Sequence, residues 1–300
     1  MGASVEPNPG SVAVVGATGR QGSAVCRHLL RDGWRVRALT RNPSSAAART
    51  LADQGAEVHQ VDSEDIGSLR RAFRDVQGVF NVQNPMTSSL AAETRQGGHV
   101  ADAAAEAEVS HVVYGAAGVG VDATGVGSWD SKLVVAAQFR DRGLRTTVLR
   151  PMAFMELMTD KTYYPSVGAW HLMPKLMGSS RPVGWLCTDD LGAIAARVFA
   201  DPDTWGGATL GLVADVQSID ECRAVWTEVH GRAPRGFPIP VWLFERFVGS
   251  DLTTMWRWLA TAQFDMSTEA TRELLPEAVT VREFLTRTRT GSHRVVGRRR

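Results

Sequence analysis

Val12-Ala13-Val14-Val15-Gly16-Ala17-Thr18-Gly19-Arg20-Gln21-Gly22-Ser23-Ala24-Val25 is the stretch that decides the fold. Four apolar residues in a row suit a strand buried on both faces. The glycines at 16, 19 and 22 then allow a tight turn, a close approach of backbone to a ligand, and close packing of the following helix on the sheet. Such a turn aims backbone N–H groups and the positive end of a helix dipole at whatever lies above it, and a pyrophosphate is the expected guest. A glycine trio alone also occurs in turns that bind nothing, so its surroundings decide. Val12–Val15 reads as a strand, Gln21–Arg31 as a helix with Val25, Leu29 and Leu30 on one face, and Trp34–Leu39 as a second strand.

Outward from this unit the alternation continues. Helix Ser44–Gln54, strand Glu57–Val61, helix Asp65–Val76 and strand Gly78–Val82 are followed by helix Ala91–Ala107, strand Ser110–Tyr114, helix Asp130–Arg142 and strand Arg145–Leu149. Six strands joined by helices predict an α/β fold, a doubly wound parallel sheet of the Rossmann kind in the order 3-2-1-4-5-6. Its ligand belongs over the carboxyl ends of the strands. Residues 11–150 form this domain, a smaller lobe interleaved with it takes 151–286, residues 1–10 form a disordered lead-in, and 287–300 a basic flexible tail.

The residues that follow each strand are therefore informative. After the second strand comes Arg41 where a site for an unphosphorylated ribose expects an acid, so the cofactor expected is NADP(H), its 2′-phosphate held by a guanidinium. A solvated loop arginine is the competing explanation. After the third strand, Asp62 and Ser63 suit either an acceptor for the adenine amino group or a helix N-cap. After the fourth, Asn81, Val82, Gln83, Asn84 and Pro85 form a loop expected to pass the cofactor ribose and phosphates, with Pro85 stopping the strand.

Composition excludes several classes. The chain has 300 residues, 44% hydrophobic and 22% charged, with a net charge of +1, ordinary values for a globular protein with a large core. The six arginines of Arg287–Arg300 leave the rest mildly acidic, so nothing marks a nucleic-acid binder. No signal peptide and no membrane span is legible. Cys26, Cys187 and Cys222, widely spaced and without a C-x-x-C pair, suit reduced thiols in a cytoplasmic protein, and the scattered histidines predict no metal site.

Together these residues resemble the NmrA-like family, an atypical branch of the short-chain dehydrogenase/reductase superfamily. The resemblance rests on Gly16-Ala17-Thr18-Gly19-Arg20-Gln21-Gly22, on Glu93-Thr94-Arg95-Gln96-Gly97 as an E-x-x-Q-G helix start, on Leu149-Arg150-Pro151-Met152-Ala153-Phe154-Met155-Glu156, and on Thr188-Asp189-Asp190-Leu191-Gly192. Leu157 departs from the Asn usual in the third motif. The resemblance implies that Gly16, Thr18, Gly19, Arg20, Gln21 and Gly22 cradle the cofactor and that Pro151 and Phe154 run over the nicotinamide. It does not imply one activity, because the family holds both reductases and dinucleotide-binding regulators.

Relatives of that superfamily catalyse with a Ser and a Tyr-x-x-x-Lys. Here the strand Val112-Val113-Tyr114 runs into Gly115-Ala116-Ala117 without the Ser, Ser128 stands at the Tyr position, and Lys132 alone remains. Lysine stands at only three positions, 132, 161 and 175, against thirty arginines, which makes one at the active-site spacing noteworthy. Lys132 is thus expected to bind the ribose and to serve as the acid, with Tyr114, Tyr163 and Tyr164 as the next donors to consider.

The second half is rich in Met and aromatic residues, among them Met155, Met158, Trp170, Met173 and Met177, which suits a lobe around an apolar substrate or an ordinary core. A strand near Thr209–Val213 and a helix Ser218–Val229 are expected to complete it. The run Pro238–Phe244 with Trp256 and Trp258 suits a pocket wall, a homodimer contact or helix packing. Two functions follow: an NADPH-dependent reductase of a small, largely apolar carbonyl or conjugated quinone or enone substrate, and a non-catalytic NADP(H)-binding redox sensor. The lost Ser and Tyr favour the sensor, the retained Lys132 the enzyme.

Overall fold

A computed structural model describes residues 10–83, 89–121, 124–160, 168–236 and 238–290. The first part of the chain runs β1 (Ser11–Val15), α1 (Arg20–Arg31), β2 (Arg35–Thr40), α2 (Ala46–Asp53), β3 (Glu57–Gln60), α3 (Ile66–Ala72), β4 (Gly78–Asn81), α4 (Leu90–Glu106), β5 (His111–Gly115), α5 (Gly127–Asp141) and β6 (Thr146–Pro151). Then follow β7 (Ala153–Phe154), α6 (Met173–Met177), β8 (Pro182–Leu186), α7 (Thr188–Ala200), α8 (Pro202–Trp205), β9 (Thr209–Leu212), β10 (Asp215–Ser218), α9 (Ile219–His230), α10 (Val241–Val248), α11 (Asp251–Leu259), α12 (Glu269–Leu274) and α13 (Val281–Arg289).

Two compact units emerge: one comprises residues up to Pro151 with Thr188–Leu212 and Glu273–Leu275, the other Met152–Cys187, Val213–Arg272 and the residues from Pro276 on. The first is built on a seven-stranded parallel sheet in the order β3-β2-β1-β4-β5-β6-β9. All five residues of β1 are buried, as a strand covered on both faces requires. Val14 stands between Ala38 of β2 and Phe80 of β4, so β1 is central. On one face α3, α4 and α5 bury Leu69, Val100 and Val135 against Ala13, Val79 and Val112. On the other lie α1 and α7, closely packed together.

The placement of β9 corrects the expectation that Thr209–Val213 belongs to the smaller lobe. It pairs in parallel with β6, Leu149 opposite Leu210, as a seventh strand of the main sheet. The reason lies in α7. Gly192 brings it against the backbone of α1, where a Cβ would lie 2.7 Å from the Ala24 carbonyl carbon, so α7 serves as one more crossover helix in the α1 layer. As an edge strand with only one fully buried residue, β9 carries little alternation of its own.

The second unit holds a three-stranded sheet, β10-β8-β7, with β8 antiparallel to β10 and parallel to β7. Met155, Met158, Trp170, Met173 and Met177 are buried here as core. Trp170 donates its indole N–H to the Met158 carbonyl at 3.1 Å and meets Trp226 edge-on. The helix that follows β10 is α9, opened by a capping box between Ser218 and Glu221. Residues Arg287 and Arg289, expected in a flexible tail, lie on α13, which a Thr280–Glu283 capping box starts; 1–9 and 291–300 lie outside the described residues.

Under β5 and β6, Thr147 gives its hydroxyl proton to the Trp205 carbonyl at 2.7 Å, so the 2.8 Å contact between Thr147 Oγ1 and His111 Nε2 makes that nitrogen the donor. His111 is held neutral, its pKa lowered by burial and by Arg145 from 6.5 to about 4. Above 6.5 the ring is neutral folded and unfolded alike; below it, only the unfolded chain gains the proton. Stability contributed by His111 is therefore lost as pH falls from 6.5 through about 4. Urea midpoints across that window are expected to fall more steeply for this protein than for His111→Asn, by at most about 1.4 kcal/mol per pH unit.

Candidate functional site

The glycine turn lies between β1 and α1, and its three glycines do different work. Gly16 takes φ +72°, and a Cβ there would lie 2.8 Å from the Val82 carbonyl oxygen, so the segment after β4 crosses directly against the turn. A Cβ on Gly22 would lie 2.2 Å from the Gly16 carbonyl oxygen, which makes Gly22 necessary for closing α1 onto the turn. At Gly19 a Cβ would meet only that same oxygen, at 3.2 Å. Gly19 and Arg20 are exposed and Thr18 is half-buried, so the open space at this corner is outside the fold.

Gly19 is also the N-cap of α1, with no side-chain cap bond, and no acid stands in the first turn. In the same unit α2, α3 and α4 are capped by Ser45, Asp65 and Ser89, and α5, which like α1 has no side-chain cap bond, carries Asp130 in its first turn. Backbone N–H groups at a helix start need an acceptor, and the dipole favours a negative one. Beside them the Gln21 Oε1 is buried without a hydrogen-bond partner, against Gly115 at the end of β5. An uncapped helix start, an open Gly corner and an orphaned polar atom are what a bound phosphate group would complete.

Arg41 follows the end of β2, exposed, with no ion pair or hydrogen bond of its side chain among the described residues. Asp62 is exposed and accepts the Glu64 N–H at 3.0 Å, while Ser63 offers its carbonyl to His99. Neither caps α3. Asp65 does, accepting from Gly67, which corrects the N-cap alternative for Asp62 and Ser63: the helix starts later, at Ile66. Asn81 is fully buried and its amide exchanges two hydrogen bonds with that of Gln83, at 3.0 and 2.7 Å. Its side-chain amide is thereby paired within its own chain. Asn84 and Pro85 lie outside the described residues.

The E-x-x-Q-G motif acquires a physical explanation. Gln96 and Arg95 hold Glu64, whose carboxyl is lowered to about 2 chiefly by its hydrogen bond with Arg95. Gly97 lets α5 approach, since a Cβ would lie 2.6 Å from Val135 Cγ2. Glu93, in the first turn of α4, is fully buried and takes the Ser131 hydroxyl at 2.5 Å and the Lys132 ammonium. Lys132 is itself 7% exposed. Lys132, expected from the sequence to bind the ribose and to serve as the acid, is thus half of a buried ion pair at the starts of α4 and α5. Two of its three N–H donors remain for another acceptor.

Tyr114 is corrected as a reserve proton donor. Its side chain is fully buried among the helices α4 and α5, tilted against the Phe139 ring, with its pKa held by burial and by Glu93 well above the usual range. Ala116 is buried after β5, confirming that no hydroxyl stands there, and Tyr163 and Tyr164 lie outside the described residues. In the remaining motif, Pro151 closes β6, and Phe154 is buried in β7 of the second unit. Leu157 lies in a short 3-10 turn, Met155–Met158.

Compared with known proteins, the profile of the NmrA-like family matches residues 9–285. The chain belongs to the NmrA-like family. It is 31% identical over 245 residues to an NmrA-like family domain-containing oxidoreductase, himF, of Aspergillus japonicus, covering 75% of this chain and 74% of that one. It is 29% identical over 258 residues to the oxidoreductase FrzB of Cladobotryum sp, covering 77% of each. Among solved structures, NmrA, a negative transcriptional regulator, superposes with a TM-score of 0.77 at 21% identity over 93% of this chain and 95% of that one. The triphenylmethane reductase of Citrobacter sp. complexed with NADP(H) gives 0.74 at 21% identity, over 93% and 99%. These likenesses establish the α/β sheet architecture of this NmrA-like chain. No group of three or more His, Cys, Asp or Glu suited to a metal occurs among the described residues.

The role of Glu93 escaped sequence reading although its motif was legible, because its partner stands 39 residues away on another helix. A charged residue one turn into a helix otherwise rich in Ala was the available signal.

Proposed function

We propose that this NmrA-like protein is an NADPH-dependent reductase acting on a small, largely apolar carbonyl or conjugated substrate such as a quinone or enone. The observation that carries the cofactor is the uncapped start of α1 at the open Gly19 corner. The oxidoreductase names of its family relatives support turnover. In this reading the N-terminus of α1, with Thr18, Arg20 and Gln21, holds the pyrophosphate, and Arg41 holds the 2′-phosphate. Asp62 and Ser63 flank the adenine, and Val82 and Pro151 border the remainder. Bound NADPH would supply the hydride. Lys132, fixed by Glu93, would direct its remaining N–H donors to a ribose hydroxyl and to the oxygen that gains charge on reduction.

The second reading, an NADP(H)-binding sensor without turnover, is favoured by the missing Ser and Tyr and by the neutralisation of Lys132 by Glu93. A solved structure of the regulator NmrA in complex with NADP is also similar in fold, with a TM-score of 0.75. NADPH oxidation followed by absorbance against quinones, enones and aryl ketones separates the two: the enzyme consumes NADPH with at least one class, the sensor with none.

Arg41→Ala is expected to weaken NADPH binding by about 1.5–3 kcal/mol, roughly 10- to 150-fold, and to leave NADH binding nearly unchanged. Calorimetry with both cofactors checks this. Equal affinities of the unmutated protein for NADH and NADPH would remove Arg41 from the site.

A further inference from the structure

Two cations belong to the carboxyl-end region of β5 and β6 in the first unit, and they differ in one respect. Lys132 is neutralised by Glu93. Arg150, the penultimate residue of β6, has no such partner: its guanidinium makes no hydrogen bond or ion pair among the described residues, and its Nε is buried without an acceptor. Burial lowers its pKa, and no carboxylate offsets that. Other arginines of the same unit, Arg70, Arg95, Arg142 and Arg145, each rest on a carboxylate.

The side chain of Arg150 reaches the segment that follows β5. A Cβ on Gly120 would lie 1.2 Å from Arg150 Nη1, and Gly120 takes φ +74°, so this segment is shaped to admit the guanidinium. Two residues earlier, Gly118 lies against Trp129, whose ring would meet a Cβ at 2.8 Å. The arrangement is therefore a planar cation with unspent donors beside an aromatic-backed loop. It stands at the carboxyl ends of two adjacent strands, where doubly wound sheets bind ligands. A half-buried charged group without a partner costs free energy that a ligand acceptor would return.

We propose that Arg150, with the Gly118–Gly120 segment, is a recognition site for a planar oxyanion, namely a carboxylate carried by the reducible substrate. The fork of N–H donors matches a carboxylate in two parallel hydrogen bonds, which an ammonium cannot reproduce. The substrate class thereby narrows to apolar molecules with an acidic head. This identification of the ligand as substrate rests on the reductase reading; the oxyanion site itself does not. The same fork would also accept a cofactor phosphate, so the test separates the two sources.

Calorimetry on the full chain, with and without NADPH, compares benzoate with its neutral isostere benzamide. The unmutated protein is expected to prefer benzoate by about tenfold or more, Arg150→Gln to lose the preference, and NADPH affinity to stay within about twofold. Arg150→Lys, which keeps the charge but not the fork, is expected to retain only part of the preference, and it decides the matter if thermal unfolding shows Arg150→Gln to be misfolded. Equal binding of benzoate and benzamide by the unmutated protein, or a preference that survives Arg150→Gln, overturns the proposal. So does a loss of NADPH affinity of about tenfold in that variant, which would give the guanidinium to the cofactor phosphates. Failure of the unmutated protein to bind NADPH would instead sink the reductase reading, and a benzoate preference lost with Arg150 would still establish the site.

Discussion

Gly19→Val is expected to leave the protein folded and to abolish dinucleotide binding, whereas Gly22→Val is expected to lose the fold around α1 and binding together. The two glycines are three residues apart in one motif, yet a Cβ at 22 would stand 2.2 Å from the Gly16 carbonyl oxygen and 2.7 Å from its carbon, while one at 19 meets a single atom at 3.2 Å. Backbone cannot yield to a contact at the first distance, and the cost exceeds the roughly 1–3 kcal/mol usual for overpacking. At 19 the backbone has to give by only a few tenths of an ångström, so a branched side chain there acts chiefly on the ligand. Urea unfolding followed by calorimetry with NADPH measures both effects. A loss of NADPH affinity of at least about 100-fold is expected for folded Gly19→Val. Undiminished binding would move the phosphate site away from the turn.

The second large effect concerns the buried pair. Glu93→Ala strands the Lys132 ammonium, and Lys132→Met strands the Glu93 carboxylate, each in surroundings that exclude water. Each single change is expected to cost about 3–5 kcal/mol of stability. Replacing both, as in Glu93→Ala with Lys132→Met, is expected to cost less than the sum by about 1–3 kcal/mol, because no charge is left unpaired. Denaturant midpoints of the four proteins in this cycle give the coupling directly, and strictly additive costs would show that the pair is not formed. The cycle also governs how Lys132 is tested as an acid. A loss of turnover in Lys132→Met alone mixes chemistry with the stranded Glu93, so the double variant is the proper comparison.

Local pattern and tertiary distance divide what was legible. The strand, glycine turn and helix of residues 12–25, the alternation up to β6 and the uncapped start of α1 depend on residues within a few positions of one another. Their apolar runs, glycine spacing and missing acid are therefore present in the chain itself. The order β3-β2-β1-β4-β5-β6 follows from the same repetition. The seventh strand was not legible as part of that sheet, because its membership depends on Gly192 packing α7 against Ala24, more than a hundred residues earlier.

The candidate site divides in the same way. The sequence by itself determined the glycine turn and the place of Arg41 after the second strand, since Gly16, Gly19, Gly22 and Arg41 are set by the turn and strand they belong to. Only the tertiary structure decided the electrostatics above β5 and β6. It gave Lys132 a buried acid from another helix, enclosed Tyr114 in the core, and left Arg150 without an acceptor. The physical reason is that a side chain's charge and donors are available to a ligand only after its neighbours in space have taken their share, and those neighbours are chosen by packing between helices and strands far apart in the chain.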